Sequence, residues 1–156
     1  MHPLITAHTS LCGAPVHISV VSALHPIPAP LLYEWRIYQG ATLTCVYIGK
    51  AKNGCSRPLK TYPTVVRDLR RSRGVRKLPH VPVTPYFPRN PWGFRWIHHQ
   101  LEATVERIVR GNPNNERIEL HFPLAAIPIT KLHSEETIAI SNARNKYAGT
   151  QILGKR

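Results

Sequence analysis

Apolar and polar side chains alternate through Tyr33-Glu34-Trp35-Arg36-Ile37 within the segment Leu31–Gln39, and residues 42–48 form a second run rich in aromatic, β-branched and aliphatic residues. A period of two in segments rich in aromatic and β-branched residues predicts half-buried strands. Tyr33, Trp35 and Ile37 then fall on one face and Tyr38 on the other, while Cys45, Tyr47 and Gly49 share a face of the second strand. Gln39-Gly40-Ala41 supplies the turn, because Gly40 accepts positive φ. The two segments therefore predict a β-hairpin. The period becomes helical over residues 63–73, with Pro63 in the first turn, Val65, Val66 and Leu69 on the apolar side and Gly74 as the stop. A second helix is expected from Gly93-Phe94 to Arg110, its buried stripe formed by Ile97, Leu101, Val105 and Ile108. Gly111 and Pro113 end it. Residues 116–123 alternate again, with Ile118, Leu120 and Phe122 on one side. Ser134 reads as the N-cap of a last short helix over residues 135–140.

Two stretches stand outside this periodicity. Residues 1–30 hold five prolines and four histidines but no Asp, Glu, Lys or Arg. They are expected to form an irregular arm ahead of a domain over residues 31–156, with residues 16–21 as a candidate short strand. The four histidines show no ligand spacing. Later, Pro79, Pro82, Pro85, Pro88 and Pro91 recur every third residue, which lines them along one edge of a polyproline II helix. The preferred reading is a stiff connection carrying Tyr86, Phe87 and Arg89. The alternative is a ligand for an aromatic-lined groove.

At 156 residues the chain suits one modest core. Its 21 Lys and Arg against eight Asp and Glu give a net charge of +13, which attracts polyanions, nucleic acid above all. Arg67, Arg70, Arg71 and Arg73, extended by Arg76 and Lys77, meet only Asp68 locally, so the first helix is expected to face phosphates. Eight acids are too few for a nuclease built on clustered aspartates around two metals. Cys12, Cys45 and Cys55 contain no close CxxC pair, so a zinc ribbon is unsupported. Cys45 and Cys55 could be neighbours in space as reduced thiols. No run is apolar enough to span a membrane, and a basic-leader secretory signal fits poorly, so a cytoplasmic protein is expected.

Tyr47-Ile48-Gly49, followed by Lys50-Ala51-Lys52-Asn53 and by Arg57, closes the predicted hairpin, and a late pair, Glu135-Glu136, opens the last helix. In this the chain resembles the GIY-YIG nuclease family over residues 31–147. The resemblance implies an α/β fold with a small antiparallel three-stranded sheet flanked by helices. It also implies metal-dependent endonuclease chemistry on DNA, with RNA left open, a Mg2+ or Mn2+ cofactor, and specificity from loops, a partner or a homodimer. The first motif departs from the family pattern. Arg36-Ile37-Tyr38 copies its letters with eight residues before Tyr47, whereas Tyr33-Glu34-Trp35 leaves eleven and places Trp35 where the family has tyrosine. The register containing Trp35 is favoured, with Tyr33 or Tyr38 supplying a nearby hydroxyl. Thr61 stands where some members carry histidine.

Each role has a chemical reason. A phosphodiester shields itself from water by its own negative charge, and a divalent ion neutralises that charge and stabilises the departing 3′ oxygen. Mg2+ takes one or two protein carboxylates and keeps several waters. The resemblance assigns the ligand to Glu136, with Glu135 the alternative. Ile140, four residues on, would pack on the same helical face. Arg57 would hold two phosphate oxygens at once. Tyr47 would orient or deprotonate the attacking water, a phenol with pKa near 10 needing a nearby cation such as Lys50 or Arg57 for the second task. Lys50, Lys52, Arg67, Arg70, Arg71, Arg73, Arg89 and Arg95 are expected to track the nucleic-acid backbone, with Asn145, or Asn142, as the family's late asparagine. A non-catalytic nucleic-acid-binding protein of the same fold is the alternative, favoured by the departures at the first motif and at Thr61.

Overall fold

A computed structural model describes residues 4–5, 18–21, 30–53, 57–76, 93–122, 127–147 and 151–154. The expected hairpin forms from β3 (Leu31–Gln39) and β4 (Thr42–Ala51), turning at Gly40 with φ +58°. Burial along β3 alternates residue by residue, as period two requires. The register sets Tyr33 opposite Gly49 and Trp35 opposite Tyr47, and it slips at a bulge between Ile37 and Tyr38. β5 (Glu116–His121) pairs antiparallel with the other edge of β3, which places β3 at the centre.

The architecture is α/β, but the sheet is not the small three-stranded antiparallel one that the sequence suggests. Among the described residues, six strands lie in the order β1-β2-β5-β3-β4-β6, with β1 (Leu4–Ile5), β2 (Ile18–Val21) and β6 (Gln151–Gly154) added outside the antiparallel trio. β2 runs parallel to β5, and β6 runs parallel to β4, so the sheet is mixed. Ile18 and Val20 are 2% exposed and join the main core. Residues 18–21 are thus built into the domain, because an uncharged alternating strand can cover the open edge of β5. The proline series lies outside the described residues, as do Cys12, Cys55, Arg89 and Lys77.

Helices cover both faces. A π-helical turn (Arg57–Thr61) leads into α1 (Tyr62–Arg76), which packs against α2 (Trp96–Val109) on one face. Val66, Leu101 and Val105 are fully buried between them and the sheet, each worth about 1.5–3 kcal/mol of burial. α1 continues through Gly74 rather than stopping there. On the other face, α3 (Leu132–Lys146) lays Ile140 and Ala143 on Val46 and Ile48. It is longer than expected, because a 3-10 turn (Ile129–Lys131) winds straight into it. Ser134 is therefore inside the helix rather than at its N-cap, and its hydroxyl donates to the Lys131 carbonyl at 3.0 Å.

Candidate active site

The site grows from the C-terminal end of β4. Gly49 faces Tyr33 across the hairpin, and a Cβ at Gly49 would be driven into the Tyr33 ring. The missing side chain lets the Tyr33 phenol cross β4 and donate to the Tyr62 hydroxyl at 3.0 Å. The Tyr62 ring sits 5.8 Å from Tyr33, 5.7 Å from Trp35 and 6.4 Å from Tyr47. Three phenols thus meet on the α1 side of the sheet. Tyr62 is a member that sequence reasoning passed over. Its signal was its place next to Pro63 at the start of α1, five residues beyond Arg57.

Arg57 borders this cluster, in hydrogen-bonding range of Tyr33 and within the field of Tyr47 and Tyr62. Burial nevertheless pushes Tyr33 up to about 12, assisted by Tyr47, against the pull of Tyr62, Arg57 and Arg95. Burial likewise raises Tyr62 well above the phenol range. Both are neutral hydroxyls at physiological pH, fit to donate hydrogen bonds and unfit to take protons.

Beside the phenols opens a cavity of about 610 Å³. Lys50, Lys52 and Arg57 give it three cations, and Thr61, Tyr62 and His98 form its wall. Among its described lining residues there is no carboxylate, so its chemistry is that of an anion site. His98 is 9% exposed, stands edge-on to Tyr62 at 5.1 Å and accepts the Arg95 N–H through Nδ1 at 3.0 Å.

Glu136 approaches from the opposite face, on α3. Its side chain is 3% exposed, with Oε1 3.5 Å from Lys50 Nζ. Lys50 Nζ also lies 3.0 Å from His133 Nδ1, which acts as the acceptor because an ammonium only donates. Ile140 is buried on the same helical face as Glu136, whereas Glu135 is half-buried. Tyr47 points away from α3, since its neighbours Val46 and Ile48 are the residues that α3 covers. The expected trio is therefore brought together unevenly. Tyr47 and Arg57 are neighbours, while Glu136 reaches their cavity through Lys50.

Tyr38 is removed from the site. It lies near the hairpin turn on the other face, under the Arg117 guanidinium 4.0 Å from its ring centroid. Tyr33 is the nearby hydroxyl. Arg70 and Arg73 do not present a bare basic face either. Arg70 binds Glu106 at 3.2 Å, and Arg73 binds Glu102 at 3.2 Å and His99 Nδ1 at 2.7 Å. Their partners come from α2, some thirty residues along the chain, so the local charge count could not show them. Arg67, next to Asp68 at 3.6 Å, and Arg71 are exposed, as are Lys52 and Asn145. Arg95 stands at the entry to α2 within the field of Tyr33.

Among the described residues no three His, Cys, Asp or Glu side chains converge on a point where they could hold an ion, and no helix is long and apolar enough to cross a membrane. Comparison of the chain with protein-family models, curated sequences and solved structures gives no match.

Proposed function

We propose that the protein is a metal-dependent endonuclease with a GIY-YIG-like fold, hydrolysing DNA phosphodiester bonds in the cavity at the end of β4. The observation that carries this reading is the position of Lys50. One ammonium lies in an ion pair with the almost wholly buried Glu136 and lines the same cavity as Arg57. On this reading the buried acid and the phosphate-binding arginine, far apart in the chain and on different faces of the sheet, are linked through that one ammonium.

On this reading Glu136 is the single carboxylate that would hold a Mg2+ or Mn2+ ion, once Lys50 gives up its ion pair, with water and phosphate oxygens completing the shell. They do not form a cage of several acids. When bound, the ion would neutralise phosphate charge and stabilise the departing oxygen. The chain's own groups do the rest. Arg57 grips two phosphate oxygens and stabilises the charge of the transition state. Lys50 and Lys52 draw the polyanion in, and Tyr47 orients water from the phenol side. Tyr33 and Tyr62 stay protonated and hold the Arg57 side of the wall. RNA carries the same phosphodiester, and the cavity alone does not select between the two polymers.

In a plasmid-nicking assay with Mg2+, Arg57→Ala and Glu136→Ala are each expected to slow cleavage by about 10²–10³-fold. Wild-type rates from both variants would refute the assignment. A second reading has its own support: the Glu136 carboxylate is already matched by Lys50 and nearly closed to solvent. On that reading the protein binds nucleic acid through its charge and cuts nothing. Tight, salt-sensitive binding with no metal-dependent nicking by the wild type would decide for it.

A further inference from the structure

Lys50 stands between two rival anions. Both of its described partners belong to α3: Glu136 Oε1 at 3.5 Å and His133 Nδ1 at 3.0 Å. Yet the Lys50 side chain is 24% exposed and lines the cavity with Lys52 and Arg57, whereas the Glu136 side chain is 3% exposed. Solvent and ligands therefore reach the ammonium far more readily than the carboxylate. Withdrawing Lys50 from the unliganded protein would leave a buried carboxylate uncompensated, so the pair stays closed. A phosphate seated between Lys52 and Arg57 changes that balance, because it offers the ammonium a second counter-charge. The carboxylate that Lys50 leaves then needs a new cation. A divalent ion cannot take that place while the ammonium holds it, since the two repel at such short range.

We infer that Lys50 is a latch coupling the two ligands of the proposed nuclease: a phosphodiester bound by Arg57 and Lys52 draws Lys50 from Glu136, and only then does Glu136 accept a divalent cation. The inference rests on the nuclease reading and adds an order of binding to it. No bond is made or broken in the latch; one ion pair is exchanged for another. The anion acts by favouring the arrangement in which Lys50 faces the cavity. By linkage the effect is reciprocal, so a cation at Glu136 tightens the polyanion by the same factor. Free of nucleic acid, the protein keeps its acid masked, and the metal site forms where substrate is already seated.

Mn2+ binding, read by the loss of the free-ion EPR signal, tests the latch without any measurement of activity. Wild type and Lys50→Gln are titrated with Mn2+ alone and then with saturating duplex DNA. The part of the signal loss that Glu136→Gln removes reports the site at Glu136, apart from Mn2+ held by the duplex itself. In wild type the duplex is expected to tighten that site by about 5–150-fold. Lys50→Gln keeps a donor amide beside the carboxylate but no charge, and is expected to bind Mn2+ without DNA and to gain little when it is added. Lys50→Arg, which keeps the charge, should retain the need for duplex, and covers the case in which Lys50→Gln fails to fold. Equal Mn2+ affinity of the wild type with and without duplex, a Lys50→Gln site that still needs DNA, or a Lys50→Arg site that does not, would overturn the latch. Nicking that Glu136→Gln abolishes would then leave the nuclease reading standing. The absence of any Mn2+ site sensitive to Glu136→Gln, with or without duplex, would overturn both.

Discussion

The two faces of the sheet are built on different physical terms. On the α1 and α2 side, Trp35, Tyr33, Tyr62, Val66, Leu101 and Val105 are sealed in one continuous core, together with Ile18, Ile118 and Leu120 from the flanking strands. On the α3 side the buried set shrinks to Val46, Ile48, Ile140 and Ala143, with Leu43, Ala139 and Tyr147 only partly covered. Hydrophobic burial therefore anchors the first face. The second is held by a smaller apolar patch and by the Lys50–Glu136 pair, 3.5 Å apart. On the proposed nuclease reading, Glu136 would have to exchange Lys50 for a metal ion, and a helix held by a small apolar patch would resist that adjustment less than one locked by a deep core. The thick face, in contrast, fixes the phenols and the wall behind Arg57.

The largest energetic contrast should come from cutting each core in turn. Leu101→Ala, at a fully buried site, is expected to cost about 2–5 kcal/mol in urea unfolding, toward the upper end. Ile140→Ala, at a residue 6% exposed in the smaller patch, should fall at the lower end. Equal losses would show that the faces contribute alike. Next comes the hairpin that joins them. Gly49→Ala pushes a methyl into the Tyr33 ring, for which overpacking predicts about 1–3 kcal/mol and a displaced Tyr33 hydroxyl. A melting temperature equal to the wild type would mean that Tyr33 yields without cost.

The smallest effect concerns charge on the thick face. Arg71 is exposed, whereas Arg73 is tied to Glu102. Arg71→Gln should lower the slope of log affinity against log salt by about 0.9 if Arg71 contacts one duplex phosphate. Arg73→Gln should leave that slope nearly unchanged and instead weaken the fold, because Glu102 would stay largely buried without its partner. The reverse order would show that the Arg73 pair opens on nucleic acid.

Much of the scaffold was legible in the chain. Hairpin, α2 stripe and β5 alternation are local patterns, in which the side chain's face follows from its position and the period of the backbone. That Glu136 rather than Glu135 lies on the buried side of α3 was also legible, since Ile140 one turn later marks that face. The limits of α3 were less legible, because Ser134 has the chemistry of a cap while the preceding 3-10 turn had already started the helix. Of the strands added beyond the hairpin and β5, β2 falls within the candidate strand over residues 16–21, whereas β1 and β6 were illegible for another reason. Segments as short as Leu4–Ile5 and Gln151–Gly154 carry no period of their own and become strands only when a neighbouring edge supplies their hydrogen bonds.

The sequence by itself determined the basic balance, the hairpin turning at Gly40, and the helix stripes that build the main core, because composition needs no fold and the other two depend on residues within a few positions of one another. Tertiary structure alone decided which charges meet. It gave Arg70 and Arg73 to the glutamates of α2, joined Lys50 to Glu136 across 86 positions, and set Tyr62 and His98 in the wall behind Arg57. Coulombic and hydrogen-bonded contacts act over a few ångströms in space and carry no mark along the chain, so only the folded molecule could pair them.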